Sequence, residues 1–146
     1  MTKPSGKVYL WRGALGGAIG SVLADIILPK FQYGPGTKWF FFLLSLIITT
    51  PIAALIGAMI GAIVWKSPRW ARREIGPTFS AIIGAILVGI ALVYLSYVRY
   101  DEIQRAIVGP SYLIAASIRG ILIGAGAGLA AGMLNYIPYP AKRPIK

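Results

Sequence analysis

The sequence has no cysteine and no histidine, and only four of its 146 residues are acidic. Without cysteine, disulfide bonds, thiol nucleophiles and thiolate metal sites are excluded. Without histidine, the commonest general base and the commonest transition-metal ligand are also missing. Three of the carboxylates, Glu74, Asp101 and Glu102, fall between the apolar segments described below, so no pair of carboxylates lies within a segment. The sequence therefore predicts a protein that is not an enzyme, with no catalytic residue, cofactor or metal site.

Long apolar segments make up most of the chain. Hydrophobic residues account for 57% of it and charged residues for 13%, about half the charged fraction of an ordinary soluble domain. Four segments approach or exceed the roughly 20 residues that a helix needs to cross a bilayer. They predict an all-α membrane protein, a compact glycine-rich bundle of four transmembrane helices that forms a single integral membrane domain. The predicted spans are residues 10–28, 39–65, 78–98 and 111–137, with basic tails at residues 1–9 and 138–146.

The formal net charge of +11 is distributed unevenly between the two ends of these spans. The connections after the first and third spans carry four cations, two of them beside Asp101 and Glu102. The tails, the start of the first span and the connection after the second span carry ten, namely Lys3, Lys7, Arg12, Lys66, Arg69, Arg72, Arg73, Lys142, Arg143 and Lys146. Such cations concentrate on the cytoplasmic side of membrane proteins. We therefore expect both termini on the cytoplasmic or an equivalent side, in a plasma membrane or an organellar inner membrane, and no nucleic-acid partner.

The connection between the second and third spans has a basic cluster, made of Lys66, Arg69, Arg72 and Arg73. A role in orienting the chain accounts for this cluster by itself. The same residues also predict a patch for anionic lipid headgroups, which basic residues beside a span attract at about 1 kcal/mol each. The two interpretations are compatible, and structural lipids are the one ligand class that the sequence leaves open.

Glycines recur at every fourth residue of the last span, at Gly120, Gly124, Gly128 and Gly132. Small residues at this spacing form a groove on one helix face, where two backbones can touch and weak Cα–H···O bonds can form. Packing inside this bundle and docking against a partner chain or a second copy both fit the pattern, and we expect both. Similar faces in the other spans predict helix packing at Gly13, Gly16, Gly20, Gly57, Gly61 and Gly89.

Pro51 lies near the middle of the second span, which is longer than a perpendicular crossing needs. A proline removes one backbone donor and leaves the carbonyl of Ile47 without its helical partner. We expect one kinked and tilted helix rather than a re-entrant pair, with Thr49 or Thr50 satisfying the freed group.

Two ionisable residues, Asp25 and Arg119, lie within the apolar spans. A charge in hydrocarbon costs at least about 2.5–3.5 kcal/mol, so it normally faces protein and finds a partner. If the termini share a side, Asp25 near the end of the first span and Arg119 near the start of the fourth reach similar depths. We expect these two spans to be neighbours and the two side chains to pair or to share a polar network. The alternative is that each reaches the interface separately, Arg119 by extending along its stem.

The pattern Gly120-x-x-x-Gly124-x-x-x-Gly128, together with Gly57-x-x-x-Gly61, occurs here on four short spans with small connections. This arrangement resembles the general organisation of the Tim17/Tim22/Tim23 group of mitochondrial membrane proteins. The resemblance implies a component of a protein-translocation machinery.

Three functions fit these observations. The first is a non-catalytic accessory subunit that stabilises a larger membrane complex by small-residue helix packing. The second is a self-associating pore or a protein-translocation component, and the third is a small transporter, for which the spans offer few polar groups. The partners expected are other membrane subunits or copies of this chain, and anionic lipids.

Overall fold

A computed structural model describes residues 5–28, 38–67, 76–102, 104, 106 and 109–135. This part of the chain is helical and contains no strand. The long helices are α1 (Gly6–Ile27), α2 (Lys38–Lys66), α3 (Pro77–Arg99) and α4 (Ser111–Gly132), and α4 continues into a 3-10 turn at Met133–Asn135. Four of the described helices are long and apolar enough to cross a membrane. The predicted fold class is thereby confirmed as an all-helical bundle with four candidate spans.

Local sequence explains where α3 and α4 begin and how α2 accommodates its proline. Pro77 occupies the first turn of α3 after the extended residue Gly76, a position where its missing N–H has no helical acceptor to lose. Gly109 has a φ of 66°, a left-handed conformation that glycine adopts without strain, and this turn precedes α4. Pro51 lies inside α2, which continues through it as one helix from Lys38 to Lys66, as expected for a single span rather than a re-entrant pair.

The helices pack side by side in the order α2, α1, α4, α3, with α2 also reaching α4. Neighbours run antiparallel: Gly13 and Gly17 of α1 lie against residues Gly61 and Gly57 of α2, in reverse order. The same reversal relates α1 to α4 and α3 to α4. The first and fourth spans are therefore neighbours, and α4 lies between α1 and α3.

Small residues fill much of the interior beside a few larger ones such as Ile60 and Ile123, whereas most large apolar side chains point outward. Ala24, Ala127 and Ala131 are fully buried, while Ile47 and Leu55 are 68% and 70% exposed. A soluble domain would reverse this distribution, because burying large apolar side chains is what stabilises it in water. In a bilayer, lipid is as apolar as leucine, so helices gain little by hiding such side chains from it.

Candidate functional site

The helices meet along seams where backbone touches backbone. Between α1 and α2, a Cβ added at Gly13 would lie within 3.0 Å of Gly57 and Gly61 backbone atoms. One added at Gly17 would come as close to the backbone of Ala53 and Gly57. Real Cβ atoms essentially never approach other atoms so closely. Glycine at these positions is therefore what allows the two backbones to touch.

Helix α4 carries glycines on two faces because it packs against two helices. The series predicted from the sequence faces α3: Gly124 contacts the backbone of Gly84, Gly128 contacts Ser80, and Gly120 contacts Val88 and Gly89. The face of α4 that packs on α1 is formed by Gly126 and by the peptide after Leu122. Gly126 lies against Gly16, and the peptide lies against Gly20. At the end of the α3 seam, Gly132 lies against Pro77 and Ser80.

The ten predicted packing glycines all lie where helices of this chain meet, but Gly89 differs from the others. Its backbone lies against Gly120, while its own Cβ direction meets only the side chain of Ile121, at an ordinary 3.7 Å. Three glycines in the seams were absent from the predicted set: Gly17, Gly84 and Gly126. A four-residue spacing from Gly13 to Gly17 and from Ser80 to Gly84 would have identified two of them.

A polar network links α1, α2 and α4 at one level of the bundle. Arg119 Nη2 donates to Asp25 Oδ1 at 2.7 Å, and the Asp25 side chain is only 2% exposed. Thr49 Oγ1 donates to the other carboxylate oxygen, Oδ2, at 3.1 Å. Ser21 Oγ lies 3.2 Å from Thr49 Oγ1 and donates to it, because the single Thr49 hydrogen points to Asp25. The network thus includes Asp25 and Arg119, the two charged residues that the sequence predicts to pair or to share a polar network.

The two threonines before Pro51 have different surroundings. Thr49 donates its hydroxyl hydrogen to the Asp25 carboxylate, a use that the sequence-based expectation did not include. Thr50 Oγ1 is buried without a hydrogen-bond partner among the described residues, so it does not satisfy the carbonyl freed by Pro51. A carboxylate attracts a hydroxyl donor more strongly than a neutral carbonyl does, which explains why the Thr49 hydroxyl donates to Asp25.

A second polar link closes the opposite end of the bundle. Tyr9 Oη donates to Oδ1 of Asn135 at 2.8 Å, joining the first turns of α1 to the 3-10 turn after α4. Asn135 is the single asparagine of the chain, and sequence reasoning did not pair it with Tyr9. We refer to the two ends of the bundle as the Tyr9 end and the Asp25 end.

Two concave regions adjoin α3 and α4. A polar cavity of about 350 Å³ lies at the Asp25 end, and Ser96, Arg99, Tyr100, Tyr112 and Arg119 are among the residues that line it. An apolar surface groove of about 700 Å³ runs along the same two helices, with Ile82, Ala85, Gly89, Ile90, Tyr94 and Leu113 among its lining residues. The first offers hydrogen-bond donors and positive charge, and the second offers mainly apolar contact.

The predicted basic cluster lies largely beyond the described residues. Lys66 ends α2 and is exposed, but Arg69, Arg72 and Arg73 lie outside the part of the chain that the structure describes. Within the described part, no three Asp or Glu side chains come together in a group that could hold a metal ion. The arrangement that remains is a network of one carboxylate, one guanidinium and two hydroxyls, which can hold three helices in register by hydrogen bonds.

No protein-family model, curated protein or solved structure matches the chain. The resemblance to the Tim17/Tim22/Tim23 group therefore stays a prediction based on glycine spacing and span arrangement.

Proposed function

We propose that the chain is an integral membrane protein whose four helices each cross the bilayer, with both termini on the cytoplasmic or an equivalent side. The length and apolar character of the described helices support this, as do their outward-facing large side chains. The excess of lysine and arginine at the Tyr9 end supports the orientation, since such residues concentrate on the cytoplasmic side. In this orientation the Tyr9 end is the inner end and the Asp25 end is the outer end.

Within that membrane, the protein acts as a non-catalytic accessory subunit that stabilises a larger complex of membrane proteins. One observation carries this proposal, namely the incomplete burial of α3. In the 18-residue stretch that makes α3 a candidate span, only 11% of the residues are buried inside the chain. The corresponding stretches of the other three helices are 28%, 28% and 39% buried. α3 packs almost entirely on α4 and leaves most of its surface to lipid or to other proteins.

The apolar groove between α3 and α4 is the part of this surface shaped for another helix. Ala85 and Gly89 form its floor, with Ile82 and Ile90 beside them on the same helix. In lipid, close packing and not the hiding of apolar surface drives helices together, so a concave strip with small residues favours a transmembrane helix over a flat apolar face. The glycine seams themselves are occupied inside this chain, so the proposed docking site for a partner is this groove.

Purification in mild detergent, followed by mass spectrometry of the co-purifying chains, tests this proposal. We expect the natural chain to recover other membrane subunits in fixed proportion. Ala85→Trp fills the groove and should lose them, whereas Leu87→Trp, on the exposed surface of α3 outside the groove, should retain them. Recovery of the natural chain as a lone monomer, or equal loss with both tryptophan variants, would contradict an accessory role.

The polar cavity favours a second candidate, a self-associating pore or translocation component. It leads from the Asp25 end to Arg119 and so to the network of Asp25, Thr49 and Ser21. Further along the α1–α4 seam, backbone contacts at Gly16 and Gly20 close the interface between the two helices. This closure weighs against a path for ions through a single copy of the chain. Recovery of this chain alone as a defined ring, with ion flux in liposomes, would favour the pore over the accessory subunit.

A further inference from the structure

The described residues that line the polar cavity at the Asp25 end include two arginines and no acidic residue. Two guanidinium groups, of Arg99 and Arg119, contribute to it together with the hydroxyl of Ser96. Asp101 and Glu102 follow closely in sequence and are exposed, but neither lines the cavity. Among the described residues, the only carboxylate paired with either arginine is Asp25, which meets Arg119 from α1.

Arg119 has more donors than its partner uses. A guanidinium carries five N–H groups, and Asp25 accepts from Nη2. The Nε of Arg119 is buried and has no acceptor among the described residues. A buried donor left unpaired is costly, because it has lost its water without gaining a partner. The guanidinium group also has N–H donors at its terminal nitrogens that this single bond to Asp25 does not use.

Arg99 supplies the charge that remains unbalanced. It ends α3, is exposed, and makes no ion pair with any described residue. Since Asp25 already offsets Arg119, the two arginines and the aspartate together carry one net positive charge. The planar fork of each guanidinium matches the oxygen pairs of phosphate and carboxylate, which is why arginine is common in sites for these anions.

We propose that this cavity binds a phosphate group between Arg99 and Arg119. Ser96 and Tyr112 also line the cavity, and their hydroxyls can serve as further donors to the phosphate oxygens. The phosphate can belong to an anionic lipid headgroup or can be a free ion. The lipid source rests on the membrane placement proposed above, because the cavity would then lie at headgroup depth on the outer side. Lys66, the described member of the basic cluster, lies at the opposite end of the bundle from this site.

The test uses the full-length chain purified in mild detergent. Binding of inorganic phosphate is measured by titration calorimetry, and binding of phosphatidylglycerol against phosphatidylcholine by native mass spectrometry. Arg99→Gln should weaken binding by about tenfold, as expected for losing one charge-assisted hydrogen bond. Arg12→Gln is the matched control, because it removes the same charge from an exposed arginine at the Tyr9 end. Unchanged thermal unfolding of both variants excludes a folding defect.

Each outcome decides the proposal. Phosphate binding that Arg99→Gln weakens and Arg12→Gln does not would support a free ion, and the same pattern for phosphatidylglycerol alone would support a lipid headgroup. The proposal is overturned if neither inorganic phosphate nor phosphatidylglycerol binds, or if phosphatidylglycerol binds no better than phosphatidylcholine and phosphate does not bind. It is also overturned if both arginine variants weaken binding equally. A failure of the accessory role would show in the co-purifying chains and leave these binding measurements unchanged.

Discussion

Adding one methyl group at Gly124 should destabilise the bundle, whereas adding it at Gly89 should not. Both glycines lie where α3 and α4 meet. A Cβ at position 124 would lie within 3.0 Å of the carbonyl oxygen and carbon of Gly84 and the nitrogen of Ala85. All three are backbone atoms, so no side chain can rotate away and the helices must separate.

The expected cost follows from two opposing effects. Overpacking costs about 1–3 kcal/mol, and the upper end applies to Gly124→Ala because a whole helix has to shift. Replacing glycine by alanine inside a helix returns about 1 kcal/mol of helix propensity. Gly124→Ala should therefore lose about 2 kcal/mol of the free energy of unfolding. At Gly89 the added Cβ meets only Ile121, at 3.7 Å, so Gly89→Ala should gain up to about 1 kcal/mol.

Unfolding in mild detergent by titration with a denaturing detergent, followed by tryptophan fluorescence, measures this difference of about 3 kcal/mol. The four tryptophans of the chain provide the signal without added labels. The backbone-contact interpretation is refuted if Gly124→Ala is as stable as the natural chain, or if the two variants lose the same free energy.

The same unfolding assay checks three further predictions. Arg119→Ala should lower the free energy of unfolding by about 3 kcal/mol, because it leaves the buried Asp25 without its cation; the value is at the low end because Arg119 is 33% exposed. Adding Asp25→Asn to this variant should cost little more. Losses that add up in the double variant would exclude the contact. Thr49→Val should lose about 1 kcal/mol of the free energy of unfolding, because it removes the hydrogen bond to Asp25. Thr50→Val should be neutral or stabilising, because the Thr50 hydroxyl has no partner among the described residues. Equal losses in the two variants would argue against the network. Tyr9→Phe should lose about 1 kcal/mol with the bond to Asn135, and no loss would mean that this link contributes nothing.

The apolar segments and their glycine spacing are enough to predict the number of helices and one of the two packing faces of α4. Helices need a minimum length to cross hydrocarbon, so long apolar runs mark them reliably. The similar depths of Asp25 and Arg119 are enough to place the first and fourth spans side by side, and in the structure these residues are in contact. Charge in hydrocarbon is so costly that its partner can be sought at the same depth.

The identity of each contacting pair is not readable from spacing alone. A four-residue repeat defines a face but not which neighbour it meets, nor how far each helix is rotated. Gly126 shows this, because it lies on a different face of α4 from Gly124 and meets α1. The bond between Tyr9 and Asn135 joins residues 126 positions apart, and only the packed bundle brings them together. The polar cavity likewise depends on how α3 and α4 separate near their connection.

The crossing of the bilayer by all four helices is tested most directly by single cysteines in this cysteine-free chain. Ser5→Cys, Ser67→Cys and Asp101→Cys place one thiol each before α1, after α2 and after α3. In intact cells, a membrane-impermeant maleimide should label the cysteine at position 101 at once, and those at positions 5 and 67 only after permeabilisation. Labelling of all three without permeabilisation, or of positions 5 and 67 from opposite sides, would contradict the proposed topology.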